Sequence, residues 1–185
     1  MHREQRVAPA IRREGDWTAV YKKDDKLSKK NYRPITILPY VNKIMEKPVG
    51  SQISAGFDSR MYENSNAYRR HHSCETTLIN LVESWRKARD DKLVVNIPST
   101  DMSKAFDSLH PPLLLSKLKA YGFQEGLIQL LNSYLCDRYN CVKMGNEVSS
   151  YRLVNRGCPK GSALGPLLWN IFQNDLPLCR SKSVV

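Results

Sequence analysis

Two short stretches constrain this chain more than any other feature of its sequence. The first, Asp101-Met-Ser-Lys-Ala-Phe-Asp107, follows an apolar run over 93–97 and places a second carboxylate after the first. The second, Gly157-Cys-Pro-Lys-Gly-Ser-Ala-Leu-Gly-Pro166, is a glycine- and proline-rich loop that leads into an apolar segment. The apolar run predicts a strand that ends near the first carboxylate. Because glycine lacks a Cβ, the loop backbone can approach a ligand closely.

The spacing of apolar residues predicts more helix than strand. Helices are predicted over 41–57, 73–89, 111–122, 125–135 and 162–176, with Ser73 as the N-cap of the second. Strands or extended segments are predicted over 17–21, 32–39 and 93–97, and on both sides of the turn signal Gly145-Asn146, over 139–144 and 148–154.

The first two helices have recognisable apolar faces. In the first, the predicted face consists of Ile44, Met45, Val49 and Ile53. In the second it consists of Leu78, Leu81, Val82 and Trp85. Pro48 lies inside the first helix, where its missing N–H predicts a kink or a break.

Charge indicates the kind of partner. A chain of 185 residues with 41% apolar residues can form one domain with a real core. Its net charge of +11 favours a polyanion, and nucleic acid fits best, although a merely soluble basic protein is an equal reading of charge alone. The sequence contains neither a long apolar span nor the apolar core of a signal peptide, so we expect an intracellular protein.

The cysteines favour neither a disulfide framework nor a zinc site. Their number is odd and none forms a Cys-x-x-Cys pair, the positions being Cys74, Cys136, Cys141, Cys158 and Cys179. His71 and His72 lie near the first of them, but no second cluster accompanies them. Buried or unused thiols are the expectation.

In their order and rough spacing, the two stretches resemble the palm of reverse transcriptases of non-LTR (LINE-type) retrotransposons. The resemblance implies an α+β chain with a partial right-hand polymerase fold, mostly helical with short strands. We expect residues 1–16 to be a frayed or disordered segment and residues 17–185 to be the fingers and an incomplete palm. The family's Tyr-Ala-Asp-Asp element does not occur before Val185, so the expectation is a domain truncated before that hairpin and without a thumb.

The resemblance also implies an activity and a cofactor. The family's enzymes are RNA-directed DNA polymerases, which add deoxynucleotides to a DNA primer on an RNA template with two Mg²⁺ ions. Asp101 matches the first metal-binding aspartate and is the expected catalytic residue. With one such aspartate where the family has three, we expect the chain to be inactive alone.

Residue by residue, the resemblance assigns nucleotide binding to Lys23, Arg33, Ala105, Phe106, Lys160 and Gly161. Lys22 is an alternative to Lys23. The Phe106 ring would reject a ribose 2′-hydroxyl, whereas Lys160 stands where the family usually has glutamine and could hold a phosphate.

Nucleic-acid binding is assigned by the same resemblance to Arg69, Gly157 and Pro159. For Arg69, an ordinary surface role is an equal alternative. Asp107 is expected to cap a helix or to make local hydrogen bonds rather than to bind metal.

Two other functions remain open from sequence. One is a non-enzymatic nucleic-acid-binding remnant with the same basic surface. The other is a decaying gene product without a stable function. The expected partners are an RNA template, a DNA primer and deoxynucleoside triphosphates, with neither a membrane nor a protein partner, in the nucleus or the cytoplasm.

Overall fold

A computed structural model describes residues 14–38, 40–97, 99, 101–102 and 104–176. Its mixture of helices and short strands confirms the α+β prediction. Of the segment 1–16, which the sequence predicts to be frayed, residues 1–13 lie outside the described residues. Its last three residues belong to a strand, so that expectation is wrong for them.

One small sheet contains all the strands of the described chain. Their bounds are β1 Glu14–Tyr21, β2 Tyr32–Ile37, β3 Arg138–Met144, β4 Glu147–Val148 and β5 Arg152–Val154. β1 pairs antiparallel with β2 on one side and parallel with β3 on the other. β3 pairs antiparallel with both β4 and β5. Gly145 turns the chain between β3 and β4 with φ +59°, which confirms the predicted hairpin.

The helices are α1 Tyr40–Phe57, α2 Cys74–Asp90, α3 Ala105–Ser108, α4 Pro111–Ala120, α5 Glu125–Leu135 and α6 Gly165–Gln173. Ser73 caps α2 as predicted, because its hydroxyl accepts the backbone N–H of Thr76 and the Thr76 hydroxyl accepts the N–H of Ser73.

The core lies among α1, α4, α5 and α6. Its fully buried side chains include Ile53, Phe57, Leu114, Leu118, Leu131, Leu135, Leu168 and Ile171. Each of these contributes about 2 kcal/mol by leaving water, so helix packing holds the fold together.

The inward face of α1 differs from the predicted apolar face. Ile44 and Met45 are 56% and 42% exposed, whereas Asn42 and Glu46 are buried beside the core. The prediction is therefore wrong for the first half of the helix. Hydrophobic spacing could not predict the burial of Glu46, because a carboxylate is buried only where tertiary partners satisfy its oxygens.

The predicted break at Pro48 does not occur, since α1 continues to Phe57. Pro48 and the residue one turn before it, Ile44, are both exposed. The carbonyl that Pro48 leaves without an N–H partner can therefore bond to water, which makes the proline tolerable there.

The strand predicted over 93–97 is absent, and the prediction is wrong. These residues are exposed and, within the described chain, no strand pairs with them. An extended segment needs a ladder partner to form a stable strand. The apolar face of α2 is likewise uncovered, with Leu78 57% and Val82 46% exposed. Pro98, the residue that follows this segment, lies outside the described residues.

None of the helices in the described part of the chain combines the length and the hydropathy needed to cross a bilayer. Cys74, Cys141 and Cys158 are free thiols, the Cys136 Sγ lies 3.1 Å from Asn132 Oδ1, and Cys179 lies outside the described residues.

Candidate active-site cleft

The two stretches that stand out in the sequence are in direct contact. The backbone N–H of Gly157 donates to the Leu109 carbonyl at 2.6 Å, and that of Cys158 donates to the Phe106 carbonyl at 3.0 Å. Gly157 has φ +80°, and a Cβ there would lie 2.8 Å from the Phe106 oxygen. Only glycine fits such a position, so Gly157 fixes the loop of residues 156–165, hereafter the glycine loop, against α3.

A buried arginine holds the start of the glycine loop. Arg138 is 6% exposed, and its guanidinium donates to the carbonyls of Leu135, Arg156 and Gly157. Burial lowers the pKa of this guanidinium from its usual value. Burial also raises the pKa of the nearby Cys158 thiol to about 11, so that thiol is protonated at neutral pH and serves packing.

Ser162 holds the end of the glycine loop and begins α6. Its hydroxyl oxygen accepts the backbone N–H groups of Leu164 and Gly165, at 3.0 and 3.2 Å. The same oxygen lies 2.6 Å from the Tyr134 hydroxyl. With both backbone donors aimed at it, Ser162 satisfies all groups when its own hydrogen points at Tyr134.

Glu46 completes this buried network. The Tyr134 hydroxyl donates to Glu46 Oε1 at 2.8 Å, and the backbone N–H of Ala163 donates to Oε2 at 2.6 Å. Glu46 is 3% exposed, so these bonds replace the water that its carboxylate loses. Burial and then the Glu46 carboxylate raise the pKa of Tyr134, which keeps its hydroxyl protonated.

The glycine loop also contacts the sheet. The backbone N–H of Thr36 in β2 donates to the Lys160 carbonyl at 3.0 Å. Gly161 has φ +101°, and a Cβ there would lie 3.0 Å from the Thr36 oxygen. The loop therefore joins the sheet to the helical core, and its two glycines allow both close approaches.

An open cleft of about 490 Å³ lies between α1, α3 and the glycine loop. It is lined by Lys43, Lys47, Tyr68, Phe106, Pro159, Lys160, Gly161, Ser162, Ala163, Gly165 and Pro166. The ring of Phe106 forms an edge contact with Tyr68, with centroids 6.2 Å apart, and packs behind on Trp169 at 5.9 Å. The rings of Phe106 and Tyr68 thus form an aromatic wall of the cleft, whose lining also includes the small residues Gly161, Ser162 and Ala163.

An ion pair crosses this site. Lys160 Nζ lies 2.6 Å from Asp107 Oδ2, with the two side chains 25% and 38% exposed. The prediction that Asp107 caps a helix or makes local hydrogen bonds is wrong, because the N-cap of α3 is Lys104 and the partner of Asp107 comes from the glycine loop. The pair also gives a carboxylate partner to the Lys160 ammonium, which could hold a phosphate according to the sequence.

We expect this ion pair to contribute modestly to stability. In a double-mutant cycle of Lys160→Gln and Asp107→Asn, the coupling free energy should be about 1 kcal/mol, because both groups are partly exposed to solvent. Urea unfolding of the four proteins measures it. The exposed pair Arg86–Glu83, at 3.8 Å and 64% exposure of each side chain, should give a smaller value. Equal coupling in the two pairs would contradict the prediction.

The structure gathers only part of the predicted nucleotide site. Of the residues predicted to bind nucleotide, Phe106, Lys160 and Gly161 line the cleft. Of those predicted to bind nucleic acid, Pro159 lines it as well, and Gly157 packs against the backbone of α3. Ala105 is half-buried and packs against the core. Lys23 and Arg33 are both exposed, but they do not line the cleft. Their predicted contact with a triphosphate remains a prediction.

Arg69, expected near nucleic acid, has a partner within the chain. Its Nε lies 3.3 Å from Asp58 Oδ1, and its side chain is 18% exposed. The preceding turn is held by Asn170, whose amide donates to the Ala67 carbonyl at 2.7 Å. These contacts place the neighbouring Tyr68 in the cleft wall.

The described residues do not by themselves fit a two-magnesium site. Asp101 is exposed on the segment before α3. Among the residues described, however, no group of three or more His, Cys, Asp or Glu side chains could hold a metal ion. Asp107 is paired with Lys160. We therefore derive no reaction step through a metal from these residues.

Outside the glycine- and proline-rich stretch 157–166, sequence reasoning missed three lining residues, which are Lys43, Lys47 and Tyr68. The two lysines are one helical turn apart in α1, a spacing that puts them on one face. That spacing indicates a shared basic face, but only the tertiary structure shows that the two lysines border the cleft.

Comparison with known proteins shows the family to which the chain is similar. Residues 20–180 match the family described as "Reverse transcriptase (RNA-dependent DNA polymerase)". The chain is 34% identical, over 81% of its length, to "Probable RNA-directed DNA polymerase from transposon BS" of Drosophila melanogaster. It is 30% identical, over 80% of its length, to "RNA-directed DNA polymerase from mobile element jockey" of the same organism. Its match spans only 17% and 16% of those relatives.

A solved structure titled "Partial Cas6-RT-Cas1--Cas2 complex" aligns with 89% of this chain and 26% of its own chain, at 21% identity and a TM-score of 0.48. The family match covers most of the sequence and includes both motifs that border the cleft. The predicted resemblance to the enzymes of non-LTR retrotransposons is confirmed. The chain belongs to the reverse transcriptase (RNA-dependent DNA polymerase) family.

Proposed function

We propose that this chain is the fingers and part of the palm of a retrotransposon's RNA-directed DNA polymerase. The observation that carries the proposal is the cleft in which Phe106 faces the glycine loop. The proposed ligands are an RNA template, a DNA primer and deoxynucleoside triphosphates, and we propose no protein partner. The proposed site of action is inside the cell, in the nucleus or the cytoplasm.

The cleft has the properties that such ligands require. The Phe106 ring is half-buried and supported by Trp169, so it can restrict the space beside a sugar. Gly161 also lines the cleft and presents no side chain to it. The net charge of +11 favours polyanions in general. Together these features support a nucleotide or a polynucleotide as the ligand.

Mg²⁺ at Asp101 remains a proposal as well. A carboxylate is the ligand that Mg²⁺ prefers, and Asp101 is accessible. Further carboxylates would have to come from outside the described residues.

We expect the chain by itself to bind a primed RNA template without extending the primer, because the described residues do not complete a two-ion site. A fluorescence binding titration at about 0.1 M salt tests the first part, and primer extension with Mg²⁺ and four deoxynucleotides tests the second. Failure to bind the primed template would contradict the proposed function. Incorporation that is lost in Asp101→Asn would instead show that the chain is a complete enzyme.

A second candidate function is nucleic-acid binding without chemistry. The observation that favours it is the Lys160–Asp107 ion pair, which occupies two charged groups of the site with each other. This candidate predicts salt-sensitive RNA binding that Asp101→Asn leaves unchanged, with or without Mg²⁺. If Mg²⁺ strengthens binding in the parent chain and not in Asp101→Asn, the polymerase proposal is favoured.

A further inference from the structure

Two lysines of α1 border the cleft with free charges. Lys43 and Lys47 are exposed, and both belong to the cleft lining. In the part of the chain that the structure describes, neither ammonium lies in an ion pair. Lys160, in the glycine loop, is paired with Asp107. Among the three cleft lysines, the unneutralised charge therefore lies on α1.

The acidic residue between them does not cancel this charge. Glu46 lies between Lys43 and Lys47 in sequence, but it is only 3% exposed, and in the described part of the chain its carboxylate forms an ion pair with neither lysine. Its oxygens accept from Tyr134 and Ala163. Since residues four apart on a helix have Cβ atoms about 5–6 Å from each other, the two ammonium groups form a local pair of positive charges.

The lining of the same cleft also contains an accessible aromatic surface. Tyr68 is 67% exposed and contacts the edge of the Phe106 ring. Positive charge along a groove, combined with aromatic rings on which bases can stack, is the usual composition of a single-strand binding surface.

We propose that Lys43 and Lys47 form a phosphate-binding pair that holds the sugar-phosphate backbone of a single-stranded polynucleotide along the rim of the cleft. The proposal rests on the proposed function and adds a binding site on α1 to it. Lysine suits this role because its ammonium is a point charge on a flexible stem, which neutralises a phosphate without reading a base.

The test uses the 185-residue chain and a fluorescein-labelled oligouridine of single-stranded RNA. Each phosphate neutralised on a single strand contributes about 0.7 to the slope of log affinity against log salt. Lys43→Ala/Lys47→Ala should therefore reduce the slope by about 1.4. Over the tenfold range from about 1 M down to about 0.1 M salt, this change of slope corresponds to about 25-fold weaker binding at the lower concentration. Fluorescence anisotropy over a series of salt concentrations measures both quantities.

Two variants are matched controls. Lys119→Ala/Lys143→Ala removes the same net charge from exposed positions that do not line the cleft. It should weaken binding by less than about 3-fold, because charges beyond a Debye length are screened. Lys43→Arg/Lys47→Arg keeps both charges and should retain the slope. Since all four positions are exposed, each variant should unfold at the temperature of the parent chain.

The outcomes separate this inference from the proposed function. If the parent chain binds the RNA and the two alanine pairs weaken it equally, the phosphate-binding pair is overturned and the proposed function is not. If Lys43→Ala/Lys47→Ala weakens binding of free dTTP but leaves RNA binding unchanged, assignment to a polynucleotide is overturned. Absence of RNA binding by the parent chain overturns both.

Discussion

Replacing Gly157 by alanine should destabilise the chain by about 4 kcal/mol. Alanine adopts the left-handed backbone of this position poorly, and its methyl group would overpack the contact with α3. The new Cβ would lie 2.8 Å from the Phe106 carbonyl oxygen and 2.9 Å from the Asp107 Cα. Both are backbone atoms of α3, so neither can move aside without shifting the helix. For a chain of this length the melting temperature should fall by about 12 °C, measured by circular dichroism.

Gly145→Ala is the matched control. Gly145 also has a positive φ, +59°, but a Cβ there would meet nothing within 4 Å. Only the backbone effect remains, about 1 kcal/mol. If the two variants melted at the same temperature, the close contact between the glycine loop and α3 would not be the reason for the glycine at position 157.

Glu46→Ala should destabilise the chain by about 3 kcal/mol, because it removes the acceptor of two buried donors and leaves a cavity. The donors are the Tyr134 hydroxyl and the backbone N–H of Ala163. The latter belongs to the glycine loop, so the loop should also become more mobile. Urea unfolding measures the first effect, and amide hydrogen exchange at Ala163 measures the second.

The conservative variant Glu46→Gln should cost less than Glu46→Ala. Its amide oxygen can still accept from Ala163, while its NH₂ group forces Tyr134 to accept instead of donate. Glu83→Ala, which removes an exposed carboxylate of α2, should change stability by less than about 0.5 kcal/mol. If Glu46→Ala lost as little stability as Glu83→Ala, the buried network would not be what holds the loop.

Much of the chain follows from local pattern. The helix at 125–135 and the turn at Gly145 appear where spacing and turn chemistry place them. The same is true of the Ser73 cap. The glycines at 157 and 161 correctly indicate close backbone approaches. Glycine is the residue without a Cβ, and its positions can be read from the sequence.

Where prediction failed, the missing information was the identity of the neighbours. The segment 93–97 has strand composition, but a strand also needs a partner, and the described chain provides none. The inward face of α1 includes Glu46, which a hydrophobic pattern assigns to solvent. Its burial depends on donors from Tyr134 and Ala163, both distant in sequence.

The amino-acid sequence by itself determined the family, the two motifs and most of the helices, because these depend on residue type and short-range spacing. Only the tertiary structure decided which charges remain available at the cleft. Lys160 and Asp107 lie far apart in the chain yet pair at 2.6 Å, while Lys43 and Lys47 form no ion pair with any other described residue. The physical reason is that an ion pair depends on the distance between charges in space, and folding alone sets that distance.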